Sequence, residues 1–322
     1  MQRGTGFKGK RGGMVSAPDL SINIGSLALK NPIMPASGTF GYGTEFADFF
    51  DTSILGAVVL KGVSRTPVDG NPCPRIYETP AGMLNAIGLQ NIGVEALVRD
   101  KMPALQNIGI PLIANIWGRS EDEYVEVAAF LEDSKDISAL EMNISCPNVS
   151  KGGLEFGNNP QVAAGLTARV KKATSKQLWV KLSPSAPSIA ELAKAVEDAG
   201  ADAVSLINSI PAMAVDVETR KPQLANVIGG LSGPAIHPIA VRMVYQAAKA
   251  VKIPVIGIGG IASVEDVLEF MIVGAAAVQV GTMSFANPLI FAELLDGISE
   301  YCERNGIVRL MDIIGSLDYA RD

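Results

Sequence analysis

The feature that most restricts this chain is a repeated alternation of short apolar runs with longer amphipathic stretches. Eight runs rich in apolar and β-branched residues follow one another, at Ile33–Ser37, Ala57–Lys61, Leu112–Ile116, Ala139–Ile144, Leu178–Leu182, Ala203–Ile207, Val255–Ile258 and Ala277–Val280. Runs of this length and continuity read as strands buried on both faces, and the stretches between them carry the helical period. Parallel strands joined by crossover helices satisfy both signals, and eight such units close into a (β/α)8 TIM barrel. Ser120-x-x-Glu123, Ser188-x-x-Glu191 and Ser263-x-x-Asp266 read as capping boxes at three helix starts, with Gly200 and Gly274 as stops.

The spacing is uneven. The widest gaps, Lys61 to Leu112 and Ile207 to Val255, are expected to hold more than one helix each. Loops that follow barrel strands form the active face, so the inserted segments Val63–Asn91 and Ser209–Ser232 are expected to build walls or a lid there. With 322 residues, 48% of them hydrophobic and 19% charged, the chain has material for a large core, which excludes disordered and fibrous classes. Residues 1–17, rich in glycine and basic side chains, read as a disordered tail, and 18–322 as a single domain without an internal linker.

A count of 27 Lys plus Arg against 33 Asp plus Glu gives a net charge of -6, which disfavours nucleic acid or an anionic membrane as partner and favours a small substrate. No run approaches the ~18 apolar residues of a membrane span, and the N-terminus lacks an apolar signal region, so a cytoplasmic location is expected. Cys73, Cys146 and Cys302 form no CxxC pair and His237 is the single histidine, which leaves no metal or iron-sulfur site to build. His237 reads as a histidine at a helix start, and Cys73 and Cys302 as structural, buried cysteines.

The chemistry gathers at the strand ends. Gly257 lies in the seventh run and Gly259 and Gly260 follow it, and Gly281-Thr282 follows the eighth, the two positions at which barrels most often hold a phosphate on backbone N–H groups. Asn143-Ile144-Ser145-Cys146-Pro147-Asn148 follows the fourth run, where Cys146 is placed to act as base or nucleophile between carboxamides that offer donors and acceptors without charge. Lys61 and Lys181 end or sit in apolar runs, and burial of such lysines requires an anion. Asn85, Asn208 and Ser209 add neutral hydrogen-bonding groups. Such a pocket has no carboxylate pair and no metal constellation, which disfavours hydrolysis and favours redox chemistry with an organic cofactor.

Read together, Ala36-Ser37-Gly38, Leu60-Lys61-Gly62, Gly70-Asn71-Pro72-x-Pro74-Arg75, Asn85-x-x-Gly88-Leu89-x-Asn91, Asn143-x-x-Cys146-Pro147-Asn148, Lys181, Asn208-Ser209, Gly230-Leu231-Ser232-Gly233, Gly257-x-Gly259-Gly260 and Gly281-Thr282 resemble the dihydroorotate dehydrogenase family. The likeness spans roughly Leu20 to Gly306. It implies FMN, with the phosphate on Gly259, Gly260, Gly281 and Thr282, and the rest of the cofactor against Ala36, Ser37, Lys61, Asn115, Asn143, Lys181, Ile207 and Gly233. It implies substrate contacts from Lys61, Asn85, Gly88, Leu89, Asn143, Asn148, Asn208 and Ser209, and makes Cys146 the base that takes the C5 proton of dihydroorotate while the C6 hydride leaves.

Cysteine at 146 resembles the soluble, class 1 members, whereas the membrane-bound members carry serine there. The segments Met83–Asn91 and Cys146–Gly153 look most like the NAD-linked class 1B type. That type implies a homodimer paired in a heterotetramer with an electron-transfer subunit carrying FAD and a [2Fe-2S] cluster. A fumarate-linked class 1A homodimer and a dihydropyrimidine dehydrogenase-like flavin barrel stay open as alternatives. A flavin barrel acting on RNA is disfavoured by a pI near 5.0. A non-catalytic phosphate-binding barrel would be colourless, or hold a flavin that no dihydropyrimidine reduces.

Overall fold

The computed structural model describes residues 17–145 and 156–320; apart from Ala17, the expected tail lies outside them. Its centre is an eight-stranded parallel sheet, numbered in chain order β1 (Ile33–Pro35), β2 (Val58–Val63), β3 (Leu112–Ile116), β4 (Ile137–Asn143), β5 (Gln177–Lys181), β6 (Ala203–Leu206), β7 (Val255–Ile258) and β8 (Ala277–Val280). The hydrogen-bonded order is β1-β8-β7-β6-β5-β4-β3-β2, so each strand lies beside its neighbours in sequence. β1 and β2 meet at the remaining seam, where the Gly56 N–H donates to Ile33 O at 2.9 Å. With helices outside, this is the nearly closed (β/α)8 barrel that the eight apolar runs dictate.

The strands are continuous in hydrophobicity because both faces are covered. All five residues of β3 are buried, those facing out by helices such as Glu121–Glu132, which presents Tyr124, Val127, Ala128 and Leu131. Of the three expected capping boxes only one is complete. Ser263 and Asp266 exchange both bonds, whereas Ser120 and Ser188 only accept, from the N–H of Glu123 and of Glu191. The Glu123 carboxylate is drawn instead to the Arg119 N–H at 2.7 Å. Gly200 and Gly274 follow their helices with φ of 100° and 120°, as stop residues do.

Side chains pointing inward stack in layers along the barrel axis. The lowest is apolar, formed by Met34, Val59, Ile113, Trp179 and Ile256, and it is closed by a feature the sequence reading did not contain. An antiparallel hairpin of Ile22–Ile24 with Leu27–Leu29 plugs the N-terminal end of the barrel and buries Ile22, Ile24 and Leu29 against that layer.

The wide gaps differ from expectation in kind. Beyond one helical stretch in each, Val94–Leu105 and His237–Ala250, the extra chain is β rather than helix. Ile76–Thr79 and Gly82–Asn85 from the first insertion pair with Gly229–Ser232 and Ile210–Ala212 from the second in one four-stranded antiparallel sheet. Segments too short to bury a helix stripe are stabilised by pairing across the mouth, over a small core of Leu84, Ala86 and Leu224. The two insertions therefore form a common wall, as the expectation of walls required.

Ile24 is fully buried in the plug. Ile24→Ala is expected to cost about 2–5 kcal/mol through lost transfer energy and a residual cavity. The check is a lower urea midpoint with an unchanged slope.

Candidate functional site

A cavity of about 830 Å³ opens at the C-terminal ends of the strands, within the ~300–1,000 Å³ typical of small-molecule and cofactor sites. Every expected site residue among those described lines it: Ala36, Ser37, Lys61, Asn85, Gly88, Leu89, Asn115, Asn143, Lys181, Ile207, Asn208, Ser209, Gly233, Gly259, Gly260, Gly281 and Thr282. They come from all eight strand ends and from both insertions, which explains how residues up to 246 positions apart in sequence share one space. Cys146 and Asn148 lie outside the described residues; Ser145, which precedes them in the chain, lines the cavity.

One end of the cavity is bare backbone. Gly233, Gly259 and Gly260 have φ of 95°, 137° and 73°. A Cβ on Gly260 would sit 2.7 Å from the His237 Cβ and 2.8 Å from its backbone nitrogen, and one on Gly259 2.7 Å from the Ala240 Cβ. These positions therefore exclude side chains and leave the main chain open to close approach by a ligand. Thr282 donates its hydroxyl to Ser232 Oγ at 2.8 Å, joining this end to the inserted wall. A surface of bare glycine backbone beside a threonine hydroxyl suits a phosphate group.

The other end is lined by carboxamides and hydroxyls whose orientations are fixed. Asn143 Oδ1 accepts from the Ser145 N–H at 3.2 Å and from the Ser145 hydroxyl at 2.7 Å, and Asn208 Nδ2 approaches the same oxygen at 3.5 Å. Asn208 also donates to Ser145 Oγ. With its oxygen engaged, Asn143 keeps its NH2 as the group to present. Gly230 is required for Ser209, because a Cβ there would lie 2.0 Å from the Ser209 hydroxyl.

Gly88 and Leu89 turn the first insertion into the cavity with φ of 74° and 56°. For a leucine this conformation costs about 1–2 kcal/mol, and the surrounding bonds enforce it. Asn91, 5% exposed, accepts from the N–H of Ser64 at 3.2 Å and of Gly93 at 2.8 Å, and donates to Leu89 O at 2.9 Å. Asn91 thus clamps the loop rather than facing a ligand.

The charge of the cavity is one-sided. Among the described residues, Lys61, Arg75 and Lys181 are the charged ones that line it, and none is Asp or Glu. Burial pushes the Lys61 ammonium below the ordinary lysine range, Arg75 adds repulsion, and Glu45 opposes the shift. In a protein of net charge -6, three cations facing an enclosed space form a site for anionic groups.

Beneath this space lies a residue the sequence reading missed. Glu141, in β4, is fully buried on the barrel axis. Its carboxylate accepts from Asn115 Nδ2 at 2.7 Å, the Ser205 hydroxyl at 2.8 Å and Gln279 Nε2 at 2.6 Å, and lies 4.0 Å from Lys181 Nζ. The available signal was a lone acid inside the apolar run Ala139–Ile144, two residues before Asn143 and so on the same face of the strand.

Of the histidine and cysteine expectations, those for His237 and Cys302 hold and that for Cys73 does not. His237 starts its helix as expected, and its ring also braces the glycine end, donating from Nδ1 to Gly259 O at 3.1 Å, with Nε2 3.0 Å from Glu269. Cys302 is buried, which pushes its thiol pKa up. Cys73 is exposed, contrary to the buried reading, because the turn Gly70–Arg75 runs along the rim of the inserted wall. Among the described residues no cluster of His, Cys, Asp or Glu is arranged to hold a metal, and no helix is long and apolar enough to cross a membrane.

Fold and site together define a (β/α)8-barrel protein with a cofactor-sized, cationic cavity at its C-terminal mouth. Residues 19–302 match the family model described as Dihydroorotate dehydrogenase. The chain is 54% identical over 301 residues to the dihydroorotate dehydrogenase B (NAD(+)), catalytic subunit, of Trichlorobacter lovleyi, covering 94% of this chain and 99% of that protein. It is 52% identical over 301 residues to the protein of the same description from Pelobacter propionicus, with the same coverage. For the Thermoanaerobacter sp. X514 protein, also so described, the identity is 52% over 299 residues, covering 93% and 99%. The chain belongs to the dihydroorotate dehydrogenase family and is an oxidoreductase.

Asn91→Ala would leave the buried N–H groups of Ser64 and Gly93 without their acceptor. The expected loss is about 1–3 kcal/mol for each group stranded. Urea unfolding of the variant beside the parent measures it.

Proposed function

We propose that this chain is the catalytic subunit of an NAD-linked dihydroorotate dehydrogenase, oxidising (S)-dihydroorotate to orotate in the cytoplasm as a step of pyrimidine (UMP) biosynthesis. The observation that carries this reading is the cavity's charge and division: a glycine end suited to a phosphate, a carboxamide end suited to a planar polar ring, and three cations with no acid among the described lining residues. FMN presents a phosphate and dihydroorotate a carboxylate, so both charges find complement here. The same cations give an uncharged dihydropyrimidine no advantage, which favours dihydroorotate over the dihydropyrimidine dehydrogenase-like alternative.

In this reading Gly259, Gly260, Gly281 and Thr282 hold the FMN phosphate, and Ala36, Ser37, Asn115, Ile207, Gly233 and Lys181 bound the rest of the cofactor. FMN supplies a two-electron acceptor for the C6 hydride. Lys61, shared by both ligands, holds the substrate carboxylate, while Asn85, Asn143, Asn148, Asn208 and Ser209 fix the ring and the backbone of Gly88 and Leu89 closes over it. Cys146 takes the C5 proton, so that proton and hydride leave adjacent carbons and the CH–CH bond becomes C=C. Electrons pass to NAD through a partner subunit carrying FAD and a [2Fe-2S] cluster, with two copies of each chain in the assembly. The descriptions of the relatives as catalytic subunits support a separate partner.

The direct test is the visible spectrum of the purified chain under anaerobic conditions. Flavin absorbance that bleaches with dihydroorotate, and returns with NAD only when the partner subunit is present, is the expected result. Return with fumarate alone would instead establish the class 1A alternative. Flavin unmoved by dihydroorotate but bleached by dihydrouracil would overturn the substrate.

Two further outcomes are expected. Cys146→Ser slows flavin reduction by orders of magnitude in stopped flow yet retains FMN, since the phosphate site does not include it. Because the Lys61 cation is lost at lower pH than an ordinary lysine, orotate affinity falls as pH rises through that lowered value. Lys61→Met removes this pH dependence together with most of the affinity, as orotate titrations across the alkaline range would show.

A further inference from the structure

The buried carboxylate of Glu141 is unused by the mechanism above, and its surroundings assign it a task. Three neutral donors and one cation converge on it: Asn115 on Oε2 at 2.7 Å, Ser205 and Gln279 on Oε1 at 2.8 and 2.6 Å, and the Lys181 ammonium 4.0 Å from Oε2. Asn115, Lys181, Ser205 and Gln279 are themselves all buried. Among the described residues, Glu141 is the carboxylate within ion-pair distance of Lys181. Asn115 and Lys181 also line the cavity, so the acid stands directly behind two groups that face it.

An ion pair in such a place has two effects. The first is geometric: with its Nδ2 engaged by Glu141, the Asn115 amide is held in one orientation, and Lys181 is tethered at the floor of the cavity. The second is electrostatic. Reduction adds negative charge to a flavin, so a nearby cation favours the reduced form, and an anion behind that cation offsets part of its field. Glu141 is fully buried and Lys181 is 6% exposed, so the pair is screened by solvent far less than a surface pair and much of the offset survives.

We infer that Glu141 is a positioning residue that orients Asn115 and Lys181 and, by offsetting the Lys181 charge, holds the reduction potential of the bound flavin below the value that the lysine alone would set. This rests on the reading that the cavity takes FMN. Gln279 is the counterweight: its donated bond at 2.6 Å withdraws part of the Glu141 charge.

Spectroelectrochemical titration of the FMN-loaded chain tests this without reference to turnover. Glu141→Gln, isosteric and uncharged, is expected to move the potential to a more positive value. Gln279→Met, similar in volume but unable to donate, leaves the carboxylate less neutralised and is expected to move it to a more negative value. A merely structural role for Glu141 does not produce shifts of opposite sign. Folded, flavin-loaded variants with the parent potential overturn the inference, as do two shifts in one direction. Should Glu141→Gln fail to fold, Gln279→Met decides alone, and a potential unmoved or raised overturns the inference. A parent chain that takes up no FMN fails the functional reading itself, and the inference falls with it.

Discussion

Eight parallel strands closed around an axis must fill that axis with their own side chains, and everything distinctive in this molecule follows from how they are stacked. Alternate residues of each strand point inward, so the sequence of a strand is read out as depth. In β5, Trp179 lies in the apolar floor and Lys181 two residues on at the floor of the cavity. In β4, Ala139 lies in the floor, Glu141 in the middle and Asn143 in the cavity. The hairpin Ile22–Leu29 seals one end, leaving the other to open on the site.

That depth ordering also orders polarity. A middle layer of Glu141, Asn115, Ser205 and Gln279 can be buried because Asn115, Ser205 and Gln279 each donate to the Glu141 carboxylate, the condition for an acid in a dry interior, although Gln279 Oε1 is left without a partner among the described residues. Its acid then stands one step behind a cavity whose described lining carries cations alone. Separation of charge along the axis, an anion below and cations above, allows an acidic protein to present a site for anionic ligands.

Much of this was legible in the sequence, for physical reasons. Strands buried on both faces must be apolar without interruption, so all eight lie within two residues of the bounds read from the sequence, and Gly259 and Gly260, which admit no Cβ, stand at the bare-backbone end of the cavity. The hairpin plug was not found because three-residue strands leave no periodic signal. The inserted sheet stands where the gap lengths predict further helix, because its pairing joins segments about 150 residues apart, as in Gly230 with Asn85, which no local pattern records. Glu141 gives no sign in sequence because a single acid in an apolar run gains its meaning only from four other strands, which carry Asn115, Lys181, Ser205 and Gln279. Cys73 was misjudged since a turn between two prolines gives no sign of which way the thiol faces.

In the proposed function one cavity holds the cofactor phosphate at its glycine end and the substrate carboxylate near Lys61. A crystal structure of the chain with FMN and orotate tests it most directly. The expected result is phosphate oxygens within hydrogen-bond distance of the N–H groups of Gly259, Gly260 and Gly281, with the orotate carboxylate against Lys61. A phosphate seated elsewhere, or an orotate that turns its carboxylate away from Lys61 and toward the glycine end, would contradict it.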